Sequence, residues 1–355
     1  MRDPRQVGHA VLAQAADRSR DPSGHPARGS VDGDPSDPAP ATAWHGARLQ
    51  RRRRWFQFGF FAFFLLAPAL NLLRFDLTEA QLWVLGQRWS LGIAAFQRGE
   101  IGATEAAVRI LLQGFVPGVL LAVTFLYVAY RFGRLYCGWL CPHFSAVELL
   151  NDLLQRATGK LSLWDRAPVQ QGMRPPRRMW WPVFALTCLV LGFLWAITAL
   201  TYLLPPATIW GNLVHGTLTP NQARFIAIGT AVFTLEFAFA RHLFCRFGCA
   251  VGLFQSLAWM ANPRALEMNF DSRRSRECRS CSTPASPQGS ACEDACPMRL
   301  PPRGIRRAMF TCVQCGRCNA ACEVSQAPQG REPMLQWTVD AEALRASLRR
   351  RRPPG

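Results

Sequence analysis

The sequence predicts an all-α membrane bundle of four transmembrane helices, with a small α+β domain at its C-terminal side. Three observations predict it. Four apolar runs approach membrane length, basic residues concentrate in alternate connecting segments, and nearly all the cysteines fall into groups of four. A mean hydropathy near zero conceals this, because it averages lipid-compatible runs against polar segments.

Residues 1–47 hold no apolar run and no helical period, so they are expected to be a disordered N-terminal tail. The first structured feature is Arg48 with Arg51-Arg52-Arg53-Arg54, followed at once by the run Trp55 to Leu73. About 20 apolar helical residues cross a hydrocarbon layer. The second run is Ile110 to Tyr130, with Pro117-Gly118 as its expected kink. Met179 to Leu204 is the third, and Phe225 to Ala240, carrying Glu236, is the fourth. The four runs place a transmembrane domain over residues 48–262. Residues 79–97 are amphipathic and are expected to lie on the outer surface.

Charge sets the orientation. Arginines crowd residues 48–54 and the 131–178 segment, whereas 74–109 is balanced by Asp76, Glu79, Glu100 and Glu105, and 205–224 carries only Arg224. The positive-inside rule then predicts a multi-pass protein of the bacterial inner membrane with both termini cytoplasmic. It also accounts for most of the +18 charge without a nucleic-acid partner. A basic C-terminal tail is expected over residues 331–355, which contains Arg349-Arg350-Arg351-Arg352.

Of the 13 cysteines only Cys188 stands alone, in the third run, where it reads as a small apolar filler. Cys312-x2-Cys315-x2-Cys318-x3-Cys322 is the bacterial ferredoxin run for a 4Fe–4S cube. Three thiolates on a tight turn reach separate iron corners, and small residues such as Gly316 let the backbone wrap closely. Cys278-x2-Cys281-x10-Cys292-x3-Cys296-Pro297 is the same run with an insertion between its second and third thiols. Two adjacent runs predict a cytoplasmic ferredoxin-like domain with two 4Fe–4S clusters over residues 263–330. In such domains the fourth cysteine of each run serves the other cluster. One cluster then takes Cys278, Cys281, Cys292 and Cys322, and the second takes Cys312, Cys315, Cys318 and Cys296. A pair of zinc ribbons is the rival reading of the same spacings.

The third group is split. Cys137-x3-Cys141-Pro142 ends the second run and Cys245-x3-Cys249 ends the fourth. On a helix each pair shares one face, one turn apart. Both lie at the expected cytoplasmic edge, where four thiols from two helices could close one site. A further iron–sulfur cluster, a soft metal such as Cu(I), or a redox-active thiol pair would suit them. Glu236 reads either as a proton acceptor or as a partner of Arg241 and His242 near the interface. His143, His215 and His242 are not expected as ligands.

The segment Gly133-Arg134-Leu135-Tyr136-Cys137-Gly138-Trp139-Leu140-Cys141-Pro142 resembles the C-x3-C-P signature of membrane polyferredoxins. Within that superfamily the chain is similar to cytochrome oxidase accessory proteins of the FixG/RdxA type. It also resembles NapH-type quinol dehydrogenase components and the C-terminal half of NosR-type proteins. Arg74-Phe75-Asp76-Leu77 with Leu85-Gly86, Phe254-Gln255-Ser256, and Cys296-Pro297 ahead of Gly304-Ile305-Arg306 carry the FixG-like likeness. The sequence departs in having Ala250 after the second C-x3-C, and in the insertion after Cys281. The FixG-type immunoglobulin-like domain and the NosR-type flavin domain have no counterpart in residues 1–355. The resemblance implies an integral membrane iron–sulfur protein passing single electrons. Its partners would be membrane lipid and a membrane or cytoplasmic redox protein, with quinone as a candidate donor. Copper handling during oxidase assembly is the alternative role.

Overall fold

A computed structural model of the chain describes residues 43–79, 81–160, 162–164, 177–281 and 290–351. Most of the expected N-terminal tail, residues 1–42, lies outside the described residues, as does 282–289 in the insertion. The described chain is mostly helical.

Helix α1 runs from Ala43 to Ala69, so residues 43–47 open a helix rather than close a tail. Arg53 and Gln57, one turn apart, are buried, while Arg51, Arg52 and Arg54 are exposed. The helix ends at Ala69, Asn71 takes a positive φ of 53°, and Leu73 already belongs to strand β1. Its uncharged part, Trp55 to Ala69, is therefore shorter than the run in sequence, and shorter than the roughly 20 residues of a full span.

Among the described residues three helices are long and apolar enough to cross a membrane: α3 (Ala103–Phe132), α6 (Trp180–Leu203) and α8 (Pro220–Gly248). Ahead of Pro117, α3 is π-helical over Ile110–Phe115, the local widening a missing amide invites. Helix α8 starts with a capping box, in which Thr219 accepts from the Gln222 amide at 3.4 Å. It loosens into π-helical turns at Glu236–Ala240 and Phe244–Gly248.

Where the sequence suggested one amphipathic surface segment, the chain forms an antiparallel meander, β1 (Leu73–Asp76), β2 (Gln81–Val84) and β3 (Gln87–Trp89). Short helix α2 (Ile93–Gln97) follows. Alternation around Leu85-Gly86 pairs Leu73 with Val84 and Leu82 with Trp89, a two-residue period that overrides the helical one. The Leu77 amide bonds the Leu203 carbonyl at 2.9 Å, which ties this sheet to the far end of α6.

Between α3 and α6 lie α4 (Leu135–Trp139) and the amphipathic α5 (Pro142–Thr158). Leu150 and Leu154 of α5 pack with Phe184, Cys188, Leu191 and Trp195 of α6 and Phe237 of α8. Cys188 is buried in this apolar cluster. Helix α7 (Pro206–His215) joins α6 to α8, and α9 (Ala250–Ala261) follows α8.

The C-terminal part is held by β4 (Glu267–Phe270) and β5 (Leu335–Thr338), paired antiparallel with Glu267 opposite Thr338 and Phe270 opposite Leu335. Between them come a 3-10 stretch (Ser272–Cys281), the single turn α10 (Ala291–Asp294) and α11 (Arg317–Gln326). The expected basic tail 331–355 is corrected here. Its start supplies β5, and Asp340–Arg351 forms helix α12, with Asp340 paired to Arg131 at 2.8 Å.

Candidate metal centres

Backbone geometry delivers the thiols in three groups. Cys278 and Cys281 lie on the 3-10 stretch, Cys292 on α10 and Cys322 on α11. Their thiols stand within electrostatic reach of one another and all are buried. Hydrogen-bond donors point at the sulfurs: the Met334 amide reaches Cys322 Sγ at 3.3 Å, and Gln326 Nε2 reaches Cys281 Sγ at 3.3 Å. Burial pushes the Cys292 thiol up to about 11, against the pull of the Ser290 hydroxyl.

The second group is Cys296, Cys312, Cys315 and Cys318, which line one small cavity with Met268, Met298 and Met309. The Leu300 amide donates to Cys296 Sγ at 3.4 Å. Burial pushes Cys296 up to about 11 and Cys318 well above the ordinary thiol value. Gly316 caps α11 at φ +71°, and a Cβ there would lie 2.8 Å from the Trp337 ring, so only glycine fits this turn. Cys322 thus sits with the first run, and Cys296 with the second. Cys318 also feels Cys292, so the two groups adjoin.

The membrane-edge cysteines form the third group. Cys141 is close to Cys137 and Cys249, and Cys245 is close to Cys137 and Cys141. The expectation that each pair shares one face of a continuous helix is corrected. Pro142 bars its predecessor from helical backbone, so Cys141 (φ −58°, ψ 118°) stands at the cap of α5. Cys249 caps α9, where its Sγ accepts from the Gly252 amide at 3.5 Å. Two helix N-termini therefore meet these sulfurs. Cys137 Sγ donates to Gln255 Oε1 at 3.7 Å, and Arg134 bonds the Cys245 carbonyl at 2.7 Å.

The second and third groups share one apolar cluster, which contains Cys137, Cys245, Cys296 and Cys315. Gly138 permits the approach: a Cβ there would lie 2.0 Å from the Val313 carbonyl oxygen. Beside it Trp139 Nε1 donates to the Gln314 carbonyl at 3.0 Å. Gln50 Nε2 bonds the Cys315 carbonyl at 2.9 Å, and Arg53 bonds the Gly138 carbonyl at 2.9 Å. Glu148 sits at the hub, pairing with Arg53 and, at 2.9 Å, with Arg317, while Gln57 donates to it at 2.9 Å. Burial alone would push the Glu148 carboxyl up, but the Arg53 and Arg317 guanidinium groups hold it below the usual carboxylate range.

Sequence reasoning missed this hub, counting Arg53 only among the arginines that flank the first apolar run and set its orientation. The signal was the pair Arg53 and Gln57, two polar residues four apart at the start of an apolar run. Glu236 lies 3.4 Å from His143 Nε2, a partner the sequence did not suggest. His215 is exposed near the end of α7, and His242 is buried.

The donor set fits iron–sulfur clusters. Each group offers four thiols, nine of the twelve buried, and the raised thiols need a cation to take up their negative charge once deprotonated. Among the described residues no three His, Cys, Asp or Glu side chains converge closely enough for a single metal ion. Zinc holds thiolates about 2.3 Å from one centre. The second group's four thiols, set around one small cavity, suit a cube, which offers each its own iron.

Residues 114–160 match a family described as "4Fe-4S binding domain". That stretch holds Cys137 and Cys141, not the two C-terminal runs. The protein named "Putative electron transport protein YccM", from Escherichia coli, is 23% identical over 228 residues, which cover 61% of this chain and 57% of YccM. This chain therefore spans little more than half the length of that relative. "Uncharacterized protein MJ0750" of Methanocaldococcus jannaschii is 24% identical over 61% of this chain and 80% of its own. No solved structure matches the chain significantly. The family match supports at least one iron–sulfur cluster, and the three apolar helices suggest a membrane protein.

Proposed function

We propose that this chain is an integral membrane iron–sulfur protein that passes single electrons between a membrane donor, quinol, and a partner redox protein. One observation carries the reading: three four-thiol groups lie near one another, Cys137, Cys245, Cys296 and Cys315 of the second and third sharing one apolar cluster and Cys318 of the second lying within electrostatic reach of Cys292 of the first. The likeness to YccM, named for electron transport, supports it. Two 4Fe–4S clusters belong to the C-terminal groups, and a further cluster to the membrane-edge group, where the family match falls. Bound clusters supply one-electron redox chemistry.

The chain's own residues create the conditions for it. Apolar packing around Cys137, Cys245, Cys296 and Cys315 excludes water from these thiols. Amides of Leu300 and Met334 aim at the sulfurs, and Arg53, Glu148 and Arg317 fix the second group against the third. Quinol oxidation would release two protons to water and two electrons, which one-electron centres would take up one at a time. Arginines gather at the thiol-bearing end, which the positive-inside rule places in the cytoplasm of a bacterial inner membrane, with α1 as a fourth, shorter membrane helix.

Copper handling at the membrane edge is the second reading. It is favoured by the partial exposure of Cys141 and Cys249, which leaves them open to an incoming ion. The test is anaerobic mixing of the reconstituted chain with a reduced short-chain quinone. The electron-transfer reading expects the iron–sulfur absorption to bleach, and to bleach far more slowly when Cys137 and Cys245 are both serine. No bleaching by quinol, with stoichiometric Cu(I) bound by the wild type alone, would favour copper handling instead.

A further inference from the structure

The geometry points to a binding site for an anionic phospholipid at the thiol-bearing end of the helices. It rests on the reading that these helices lie in a membrane. A pocket of about 700 Å³ opens there between α1, α5, α6 and α11. Its walls are of two kinds. Phe58, Phe61, Leu149 and Leu191 make an apolar side, and Phe58 and Leu149 are left 65% and 48% exposed. Soluble packing would not leave such side chains open, whereas an acyl chain covers them.

The other side is cationic. Four arginines face two carboxylates, Glu148 and Asp152, and both carboxylates are already engaged by Arg53 and Arg317. That leaves Arg54 and Arg156. Among the described residues no carboxylate pairs with either. Arg156 lies over the Trp180 ring at 5.2 Å, which orients its guanidinium without neutralising it. The pocket therefore has two uncompensated cations above an apolar wall.

Position selects the occupant. Arg54 is the last charged residue of α1, and Trp55 begins its apolar part. A headgroup phosphate bound by Arg54 and Arg156 would then sit at the membrane surface, with its acyl chain descending along Phe58 and Phe61. A free anion would use the cations but not the apolar wall. The pocket is also lined by Arg317 and Ala320 of α11, the helix that carries Cys318 and Cys322. A lipid seated there braces the cysteine-rich part against α1 and α5, and so secures the second thiol group beside the third.

The test uses the full chain in nanodiscs of phosphatidylcholine mixed with phosphatidylglycerol, with retained lipid measured by native mass spectrometry. The wild type is expected to retain phosphatidylglycerol preferentially. The R54Q/R156Q double variant is expected to lose that preference by about 30-fold, each of the two charges contributing roughly 1 kcal/mol, or about fivefold. The R51Q/R52Q variant removes equal charge outside the pocket and is expected to keep it. Equal loss in both variants, no preference in the wild type, or displacement of the lipid by inorganic phosphate would each overturn the site. Release of the wild-type chain from membranes by alkaline washing would instead overturn the membrane reading on which the site rests.

Discussion

Changing Cys322 to serine is expected to abolish the centre built on Cys278, Cys281 and Cys292, and to spare the one built on Cys296, Cys312, Cys315 and Cys318. Sequence order alone would group Cys322 with its neighbours Cys312, Cys315 and Cys318. The fold separates them. From Gly316 onward α11 carries Cys318 toward the second group, and one helical turn further it carries Cys322 to the first. There the Met334 amide meets Cys322 Sγ at 3.3 Å. Cys296→Ser is expected to do the reverse. Iron content and low-temperature EPR of the anaerobically purified variants give the readout. About four irons should be lost with each substitution. Loss of the second centre's signal on changing Cys322 would contradict the crossed arrangement.

The largest stability effect is expected at Glu148. Removing its carboxylate in Glu148→Ala leaves Arg53 buried beside a second cation, Arg317, with no countercharge but Asp152 at 3.3 Å from Arg317. Stranding a buried charge in this way costs about 3–5 kcal/mol, and the partial exposure of Arg317 places the loss near 3. Denaturant unfolding in detergent, followed by cluster absorption, measures it. Glu148→Gln, which keeps acceptor capacity for Gln57, is expected to lose less. The same hub gives a pH dependence. The folded carboxyl titrates below its unfolded value of about 4.3, so its contribution is complete above that pH. It is lost as pH falls below about 4.3 and through the folded value. Wild type is therefore expected to loosen only as pH falls below about 4.3, and Glu148→Ala to lack this phase.

The cysteine spacings pointed to the thiol groups, because ligands to one centre recur at short fixed intervals. The runs at 278–296 and 312–322 indicated which thiols would meet, and the recurrence of C-x3-C at two run ends indicated a third group. Periodicity served less well where backbone chemistry intervened. Pro142 and the π-turn at Phe244–Gly248 move Cys141 and Cys249 onto the caps of the following helices. Hydropathy continued past Ala69 because Leu70, Leu72 and Leu73 are apolar, yet the chain turns at Asn71 to pair Leu73 with Val84. Charge counting took residues 331–355 for a tail and Arg53 for one more arginine flanking the first run. It could not see that β5 would complete a sheet with β4, or that Glu148, distant in sequence, would bury an arginine. Such long-range pairings have no local signature.

The most direct test of the central claim is anaerobic purification of the full chain with iron, acid-labile sulfide and zinc determined together. Iron and sulfide in equal amounts, about eight of each for the C-terminal pair and about twelve if the membrane-edge group is also filled, are the expected result. Zinc with no acid-labile sulfide would contradict it.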